Sequence, residues 1–222
     1  MVPPAMNEPR SISSTDLALK GQDCGPITVV TGLPRSGTSM LMQMLVAGGC
    51  RALVDHRRPA DVSNPQGYFE YEPVTRLHSD AGWLSQARGR VIKVVAPLLR
   101  FLPLAGPDRE PFVYRVVFSR RDPARVVTSQ LRMLRNLGRE DGAPPESKLI
   151  TAMLQELDVA DRWVRLHAGS ALHVDYEAVI RDPMSAAQRL AAFIPGLDPA
   201  RAGGAVIPPP GASRSASKGL RS

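Results

Sequence analysis

Short runs of apolar, mostly β-branched residues alternate with segments of helical length along the chain. The first run, Ile27–Thr31, is apolar on both faces, which is typical of a strand inside a parallel sheet. Further strands are expected at residues 51–54, 91–95, 112–118 and 171–174. This alternation predicts an α/β fold of three layers, with a mostly parallel, doubly wound central sheet.

The segments between these strands carry helix start and stop signals or apolar residues at helical spacing. Gly48 and Gly49 are expected to end a helix that begins near Thr38. Asp122 suits the N-cap of another helix, and Pro123 suits its first position. Helices are therefore predicted over residues 38–47, 73–84, 147–167 and 184–193, with one more starting at 122–123.

The length of 222 residues suits one α/β domain, and a hydrophobic fraction of 43% is enough for a core. Residues 1–22 are expected to be a flexible leader without the apolar centre of a signal peptide. The domain is predicted to span residues 23–200, followed by a disordered basic tail over 201–222 that is rich in Pro, Gly, Ala and Ser. No run of about 18 apolar residues occurs, so a cytoplasmic protein without a transmembrane segment is expected.

The formal net charge is +7, and the four basic residues of the predicted tail, which has no acidic residue, leave +3 for the rest. This excess suits an anionic ligand. The basic residues are scattered and not interleaved with aromatic side chains, which argues against nucleic-acid binding. Cys24 and Cys50 are too few for a disulfide framework and lack metal-site spacing, so both are expected to be reduced thiols.

One turn carries a candidate chemistry: Gly32-Leu-Pro-Arg-Ser-Gly-Thr-Ser39, between the first strand and the first helix. Such a turn surrounds an anion with backbone N–H groups and the positive end of a helix dipole. Its two glycines have the spacing of the ATP-binding pattern G-x-x-x-x-G-K-[ST]. Thr38, however, stands where that pattern has lysine, and the cation is Arg35. The turn therefore predicts one bound phosphoryl group, the alternative being a tight strand–turn–helix junction with an incidental arginine.

Leu33–Ser39 resembles the 5′-phosphosulfate loop of sulfotransferases that use 3′-phosphoadenosine 5′-phosphosulfate (PAPS). Residues 121–129 are similar to the family's 3′-phosphate motif, in which an arginine follows a strand and a serine lies eight residues later. A guanidinium and a hydroxyl at a strand end suit a second phosphate, although Arg121 could instead be solvated and Ser129 could face a neighbouring helix.

Two further segments support the resemblance, which covers about residues 26–196. Val174-Asp-Tyr-Glu177, followed by Asp182-Pro183, is similar to the family's late strand and packing helix. Asn64-Pro-Gln-Gly-Tyr-Phe-Glu70 is similar to a loop of bacterial members. The resemblance implies a PAPS-dependent sulfotransferase acting on a hydroxyl or amine of a carbohydrate, lipid, peptide tyrosine or small natural product. The nucleotide-binding residues that it implies are Pro34, Arg35, Ser36, Gly37, Thr38, Ser39, Arg121 and Ser129.

The chemistry implied by the family needs charge stabilisation and a base, and no metal. Arg35 and the loop N–H groups would stabilise the charge that develops on the departing 5′-phosphate. Cytosolic small-molecule members have a Lys-x-His strand motif, of which this chain keeps Lys93 but has Val95 in place of histidine. A carboxylate base, as in carbohydrate- and tyrosine-modifying relatives, is expected instead, with Lys93 near the leaving group or acceptor. Glu70 is the first candidate base, and the others are Glu72, Asp55 and His56.

Two other functions stay open at this level. A kinase or other ATP-using enzyme shares the strand–loop–helix pattern, although Thr38 argues against it. A non-catalytic binding module of the same fold is the second. The absent histidine favours that module, as does the weak C-terminal match, in which Arg214–Gly219 is the only counterpart of the basic segment that closes over the nucleotide in many relatives.

Overall fold

The centre of the protein is a four-stranded sheet with the order β2-β1-β3-β4, in which all strands are parallel. The computed structural model describes residues 25–55, 57, 59, 67–107, 109–136, 138 and 144–207. The strands are β1 (Ile27–Thr31), β2 (Val91–Lys93), β3 (Tyr114–Arg120) and β4 (Ser170–Asp175). The expected strand at residues 51–54 is reduced to a single parallel bridge between Ala52 and Val91.

Both faces of the sheet are covered, which confirms the three-layer α/β prediction. Alternate residues of the strands enter two different hydrophobic clusters because side chains of a strand point to opposite faces. Val29, Ile92 and Val116 are fully buried in one cluster, whereas Val30 and Val117 are fully buried in the other. Burying one such side chain contributes about 1.5–3 kcal/mol relative to leaving it exposed.

Six α-helices surround the sheet in the described part of the chain. They are α1 (Thr38–Ala47), α2 (Pro123–Asn136), α3 (Glu146–His167), α4 (Tyr176–Arg181), α5 (Pro183–Phe193) and α6 (Pro199–Gly204). The predictions for α1, α2, α3 and α5 are confirmed within a few residues. No helix among the described residues is long and apolar enough to cross a membrane.

The helix expected over residues 73–84 is wrong. The chain forms two 3₁₀ helices there, Glu72–Arg76 and Gly82–Ala87, and a third follows β2 at Ala96–Phe101. The backbone N–H of Asp80 donates to the carbonyl oxygen of Arg76, and the Asp80 carboxylate then accepts from the N–H of Gly82 at 2.9 Å. This local turn interrupts the helix because a short acidic side chain offers the backbone an alternative partner.

Three helices begin with the same Asp-Pro pair. The carboxylates of Asp122, Asp182 and Asp198 accept backbone hydrogen bonds of 2.9–3.0 Å at the starts of α2, α5 and α6. Such a cap stabilises a helix by about 1 kcal/mol. The last of these helices continues past residue 201, where the basic tail was predicted to begin, and Val206 beyond it is buried. Residues 1–22 and 208–222 lie outside the described residues.

Candidate functional site

The turn at residues 32–39 joins β1 to α1 at the carboxyl end of the sheet, where open α/β sheets bind ligands. Gly32 has φ 149° and Gly37 has φ 102°, in the region that favours glycine. A Cβ atom on Gly32 would lie only 2.8 Å from the carbonyl oxygen of Ser119. No side chain caps the first turn of α1, and that turn contains no acidic residue. The turn therefore has the glycine conformations, the uncapped helix start and the lack of acidic side chains that suit an anion-binding site.

We expect Gly37→Ala to destabilise the protein more than Gly49→Ala. A Cβ atom on Gly37 would overlap the ring of Tyr176, whereas one on Gly49, at a similar φ of 105°, meets nothing within 4 Å. The left-handed backbone costs both variants about 1 kcal/mol, and the overlap adds about 1–3 kcal/mol at Gly37 alone. Thermal unfolding of the two variants measures the difference, and equal melting temperatures would contradict the close approach of Tyr176.

Arg35 connects the turn to the second predicted phosphate motif. Its φ of 71° is unusual for a residue with a side chain. Its carbonyl oxygen accepts a hydrogen bond from Nη1 of Arg121 at 3.0 Å, and its Nε donates to Oγ of Ser129 at 3.3 Å. The fold thus brings Arg35 together with two predicted site residues that lie 86 and 94 positions later in the sequence.

Several polar groups of this region are buried. Ser36 is fully buried, and within the described ranges its Oγ has no hydrogen-bond partner. Ser119 donates to the carbonyl oxygen of Ser36 at 2.6 Å and so holds the turn against β3. Thr38 is also buried, Ser39 is half-buried and Pro34 is exposed. An unpaired buried hydroxyl costs about 1–3 kcal/mol, which a ligand oxygen would relieve.

Arg121 is held on three sides. Its guanidinium carbon lies 4.1 Å from the centre of the Tyr176 ring, and its Nε lies 3.4 Å from Oε1 of Glu177. The third contact is the hydrogen bond to the carbonyl oxygen of Arg35. Tyr176 and Glu177 belong to the segment Val174–Glu177, whose family resemblance predicts a feature of the fold and not of the site.

The adjacent Arg120 belongs to another cluster. It donates from Nε to Nδ1 of His173 at 2.9 Å and pairs with Asp161 of α3. Burial of the imidazole, together with the Arg120 charge, lowers the pKa of His173 and outweighs the opposite effect of Asp161. Of the two consecutive arginines, Arg121 is therefore the one that faces the turn.

Lys93 and Glu70 form a second polar cluster next to the turn. The backbone N–H of Ala96 donates to the carbonyl oxygen of Gly32, which keeps the chain after β2 alongside the turn. Lys93 is 8% exposed, and its Nζ contacts Oε1 of Glu70 at 3.1 Å and the carbonyl oxygen of Tyr68 at 2.6 Å. Between these two partners, Phe69 has φ 51°. The left-handed turn at Phe69 lets both neighbours reach the same ammonium group.

The other candidate bases have different surroundings. Burial opposes ionisation of Asp55, but backbone N–H groups of Glu72 and Arg57, with the Arg57 charge, outweigh it and lower the pKa of Asp55. A carboxylate of low pKa is a weak base. Glu72 is paired with Arg76 at 3.0 Å and with Arg57 at 3.7 Å. His56 lies outside the described residues, and no group of three His, Cys, Asp or Glu within them could hold a metal ion.

Comparisons with known proteins point to one family. A sequence model of the sulfotransferase family matches residues 71–198, which is more than half of the chain. The matched segment includes Lys93, Arg121 and Ser129, whereas the glycine-bounded turn and Glu70 precede it. No curated protein sequence matches.

The solved structures that are similar to this chain include two sulfotransferase domains. A sulfotransferase domain from the curacin biosynthetic pathway is 14% identical, with a TM-score of 0.43 over 78% of this chain and 76% of that domain. A sulfotransferase domain from the olefin synthase of Synechococcus PCC 7002 is 15% identical, with a TM-score of 0.42 over 76% of this chain and 72% of that one.

Proposed function

Since the chain belongs to the sulfotransferase family, we propose that it transfers a sulfuryl group from PAPS to a hydroxyl or amine of an acceptor. The observation that carries this proposal is the contact of Arg35 with both Arg121 and Ser129 beside the glycine-bounded turn. These residues provide two adjacent anion sites, one at the turn and one at the start of α2. A nucleotide with a 5′-phosphosulfate and a 3′-phosphate has two anionic groups to fill them.

The turn supports the donor half of the reaction. Transfer breaks the bond between sulfur and the bridging oxygen and leaves negative charge on the 5′-phosphate. Arg35, the buried hydroxyl of Ser36 and the N–H groups at the start of α1 would stabilise that charge. Preorganised donors of this kind act strongly because they do not need to reorient when the charge develops.

The Lys93–Glu70 cluster supports the acceptor half. We assign Glu70 as the base that takes the proton from the acceptor as its oxygen or nitrogen bonds to sulfur. Its carboxylate is 38% exposed and so is accessible to an acceptor, while buried Lys93 fixes its orientation. A positioned base contributes about 10²–10⁴-fold to the rate of such a step.

The rival functions fit this geometry less well. An ATP-binding loop needs a lysine where this chain has Thr38, and that residue is only 6% exposed and carries no charge. A non-catalytic binding module would keep the nucleotide site without needing a base. Nucleotide binding distinguishes the ATP-using enzyme from the proposed sulfotransferase. Formation of a labelled product distinguishes the binding module from it.

We expect the desulfonated nucleotide, 3′-phosphoadenosine 5′-phosphate (PAP), to raise the melting temperature. A ligand at 100 times its Kd stabilises the folded state by about 2.7 kcal/mol. For a chain of this size that corresponds to a rise of roughly 5–10 °C. A larger rise with ATP and Mg²⁺ than with PAP would favour the kinase.

The transfer reaction itself is tested with PAPS carrying radiolabelled sulfate and a metabolite extract. Appearance of a labelled product supports the proposal, and its isolation identifies the acceptor. Tight binding of PAP without any labelled product would favour the binding module.

A further inference from the structure

Glu177 forms ion pairs with two arginines, Arg121 and Arg125, beside the proposed site of the second phosphate. It is in the first turn of α4, directly after β4. Its Oε1 is 3.4 Å from Nε of Arg121 and 3.2 Å from Nη1 of Arg125. The side chains of Arg121 and Glu177 are largely covered, at 18% and 33% exposure, whereas Arg125 is 63% exposed.

The ion pair is made at the inner nitrogen of Arg121. A guanidinium has five N–H donors in a planar fork, and Nε carries only one of them. The remaining four are on the terminal nitrogens, of which Nη1 donates to the carbonyl oxygen of Arg35. Glu177 therefore does not stand in for a phosphate at the tip of the fork. Among the described residues, this Nε has no hydrogen-bond partner, so Glu177 acts on Arg121 by its charge at 3.4 Å. The Tyr176 ring fixes the plane of the guanidinium, and the charge of Glu177 holds its inner end beside α4.

The charges favour an anion at this point. One carboxylate oxygen is shared by Arg121 and Arg125, so the three side chains together keep a net charge of +1. Arg35 adds another positive charge through its contact with Ser129. A phosphate dianion near Ser129 would balance this excess, and a nucleotide without that phosphate would leave it unbalanced.

We propose that Glu177 is a positioning residue that makes the site selective for a nucleotide with a 3′-phosphate. It acts through Arg121, whose fork it orients, and does not contact the nucleotide. The proposal rests on the proposed function, because it takes Arg121 and Ser129 as the site of the 3′-phosphate.

The test compares PAP with 5′-AMP, two nucleotides that differ only in the 3′-phosphate, by calorimetric titration of purified protein. Glu177→Ala is expected to weaken PAP binding about tenfold, as loss of a charge-assisted contact does, and to change 5′-AMP binding less than about twofold. Glu177→Gln keeps the length but removes the charge, so it should weaken PAP binding by a similar factor, which would show that the charge of Glu177 and not its volume positions Arg121.

Asp158→Ala is the matched control, because it removes an exposed carboxylate that pairs with Arg162 at 3.2 Å on α3. It should leave both affinities unchanged. In an Arg121→Ala background, Glu177→Ala should have no further effect on PAP binding, because residues that act as a unit are not additive. If the alanine variant does not fold, Glu177→Asp keeps the charge but shortens the reach, and it should weaken PAP binding alone.

Three outcomes would overturn the inference. If the wild-type protein prefers PAP and Glu177→Ala keeps that preference, Glu177 has no positioning role and the proposed function stands. Equal losses of PAP and 5′-AMP affinity would show a merely structural role. If the wild-type protein binds PAP no better than 5′-AMP, the assignment of Arg121 and Ser129 fails, and the inference fails with the proposed nucleotide.

Discussion

Arg35→Ala is expected to lower kcat/KM for sulfuryl transfer by about 10²–10³-fold, the usual effect of removing one preorganised donor from a developing charge. The substitution removes the cation of the turn and the hydrogen bond to Ser129 at 3.3 Å. It leaves the backbone carbonyl that Arg121 contacts. We therefore expect the fold to be kept, with initial rates at saturating acceptor and varied PAPS as the measurement.

Arg109→Ala is the matched control for this variant. Arg109 is an exposed arginine whose φ of 62° is close to the 71° of Arg35, so both variants place alanine in the same backbone region. Its kcat/KM should equal that of the wild-type protein. If kcat/KM of the Arg35→Ala variant stays within about threefold of the wild-type value, Arg35 is not part of the donor site. Such a loss corresponds to less than about 1 kcal/mol of transition-state stabilisation.

The second large effect is expected for Glu70→Gln, which should lower kcat by about 10²–10⁴-fold because the amide cannot accept the acceptor's proton. Binding of PAP should be unchanged, because the ion pair of Glu70 is with Lys93, whereas the proposed nucleotide residue Arg35 contacts Arg121 and Ser129. Measuring kcat and PAP affinity on the same preparation separates a lost base from a damaged nucleotide site.

Glu72→Gln provides the comparison within the same segment. Glu72 is a carboxylate two residues away, but it is paired with the exposed Arg76 and Arg57. The base assignment predicts a normal kcat for this variant. A loss of kcat in Glu72→Gln with a normal rate in Glu70→Gln would move the base to Glu72.

The sequence predicted the layers of this fold because hydrophobic periodicity records burial. Residues 147–167 carry apolar positions at helical spacing, and α3 forms there. The prediction of one helix over residues 73–84 is wrong, although its apolar residues Val74, Leu77 and Leu84 are buried. They lie on two 3₁₀ helices and a turn. Burial fixes which residues face the core, and local partners such as the Asp80 carboxylate decide which helix type presents them.

The short helix α6 was missed although its signal is present. Asp198-Pro199 repeats the helix-start pattern of Asp122-Pro123, but the Gly- and Ala-rich composition of the residues that follow predicts a tail. A glycine of low helix propensity is tolerated there because Gly203 approaches the backbone of Met184 closely, where a Cβ atom would lie 3.3 Å from its Cα. Tertiary packing thus overrides composition at this end of the domain.

The contacts among the site residues could be predicted only in part from the sequence. Family-like motifs predict Arg35 in the turn, Arg121 after a strand and Ser129 eight residues later on the following helix, and the fold brings them together. The roles of Tyr176 and Glu177 depend on a side-chain stack and a shared carboxylate oxygen. Spacing along the chain contains no information about such contacts, because they depend on how the start of α2 lies against the first turn of α4.

The double contact of Arg35 also limits how this protein can diverge. Its side chain reaches Ser129, so these two side chains depend on each other, whereas Arg121 contacts the backbone carbonyl of residue 35, which every residue type has. Among descendants of this sequence, Arg35 and Ser129 are therefore expected to persist or to be lost together, while the contact of Arg121 tolerates a change at residue 35. Glu70 pairs with Lys93 at 3.1 Å, a different contact from those that link Arg35 to Ser129 and Arg121. Substitutions at Glu70 can therefore give the proposed acceptor side new chemistry while those two hydrogen bonds stay in place.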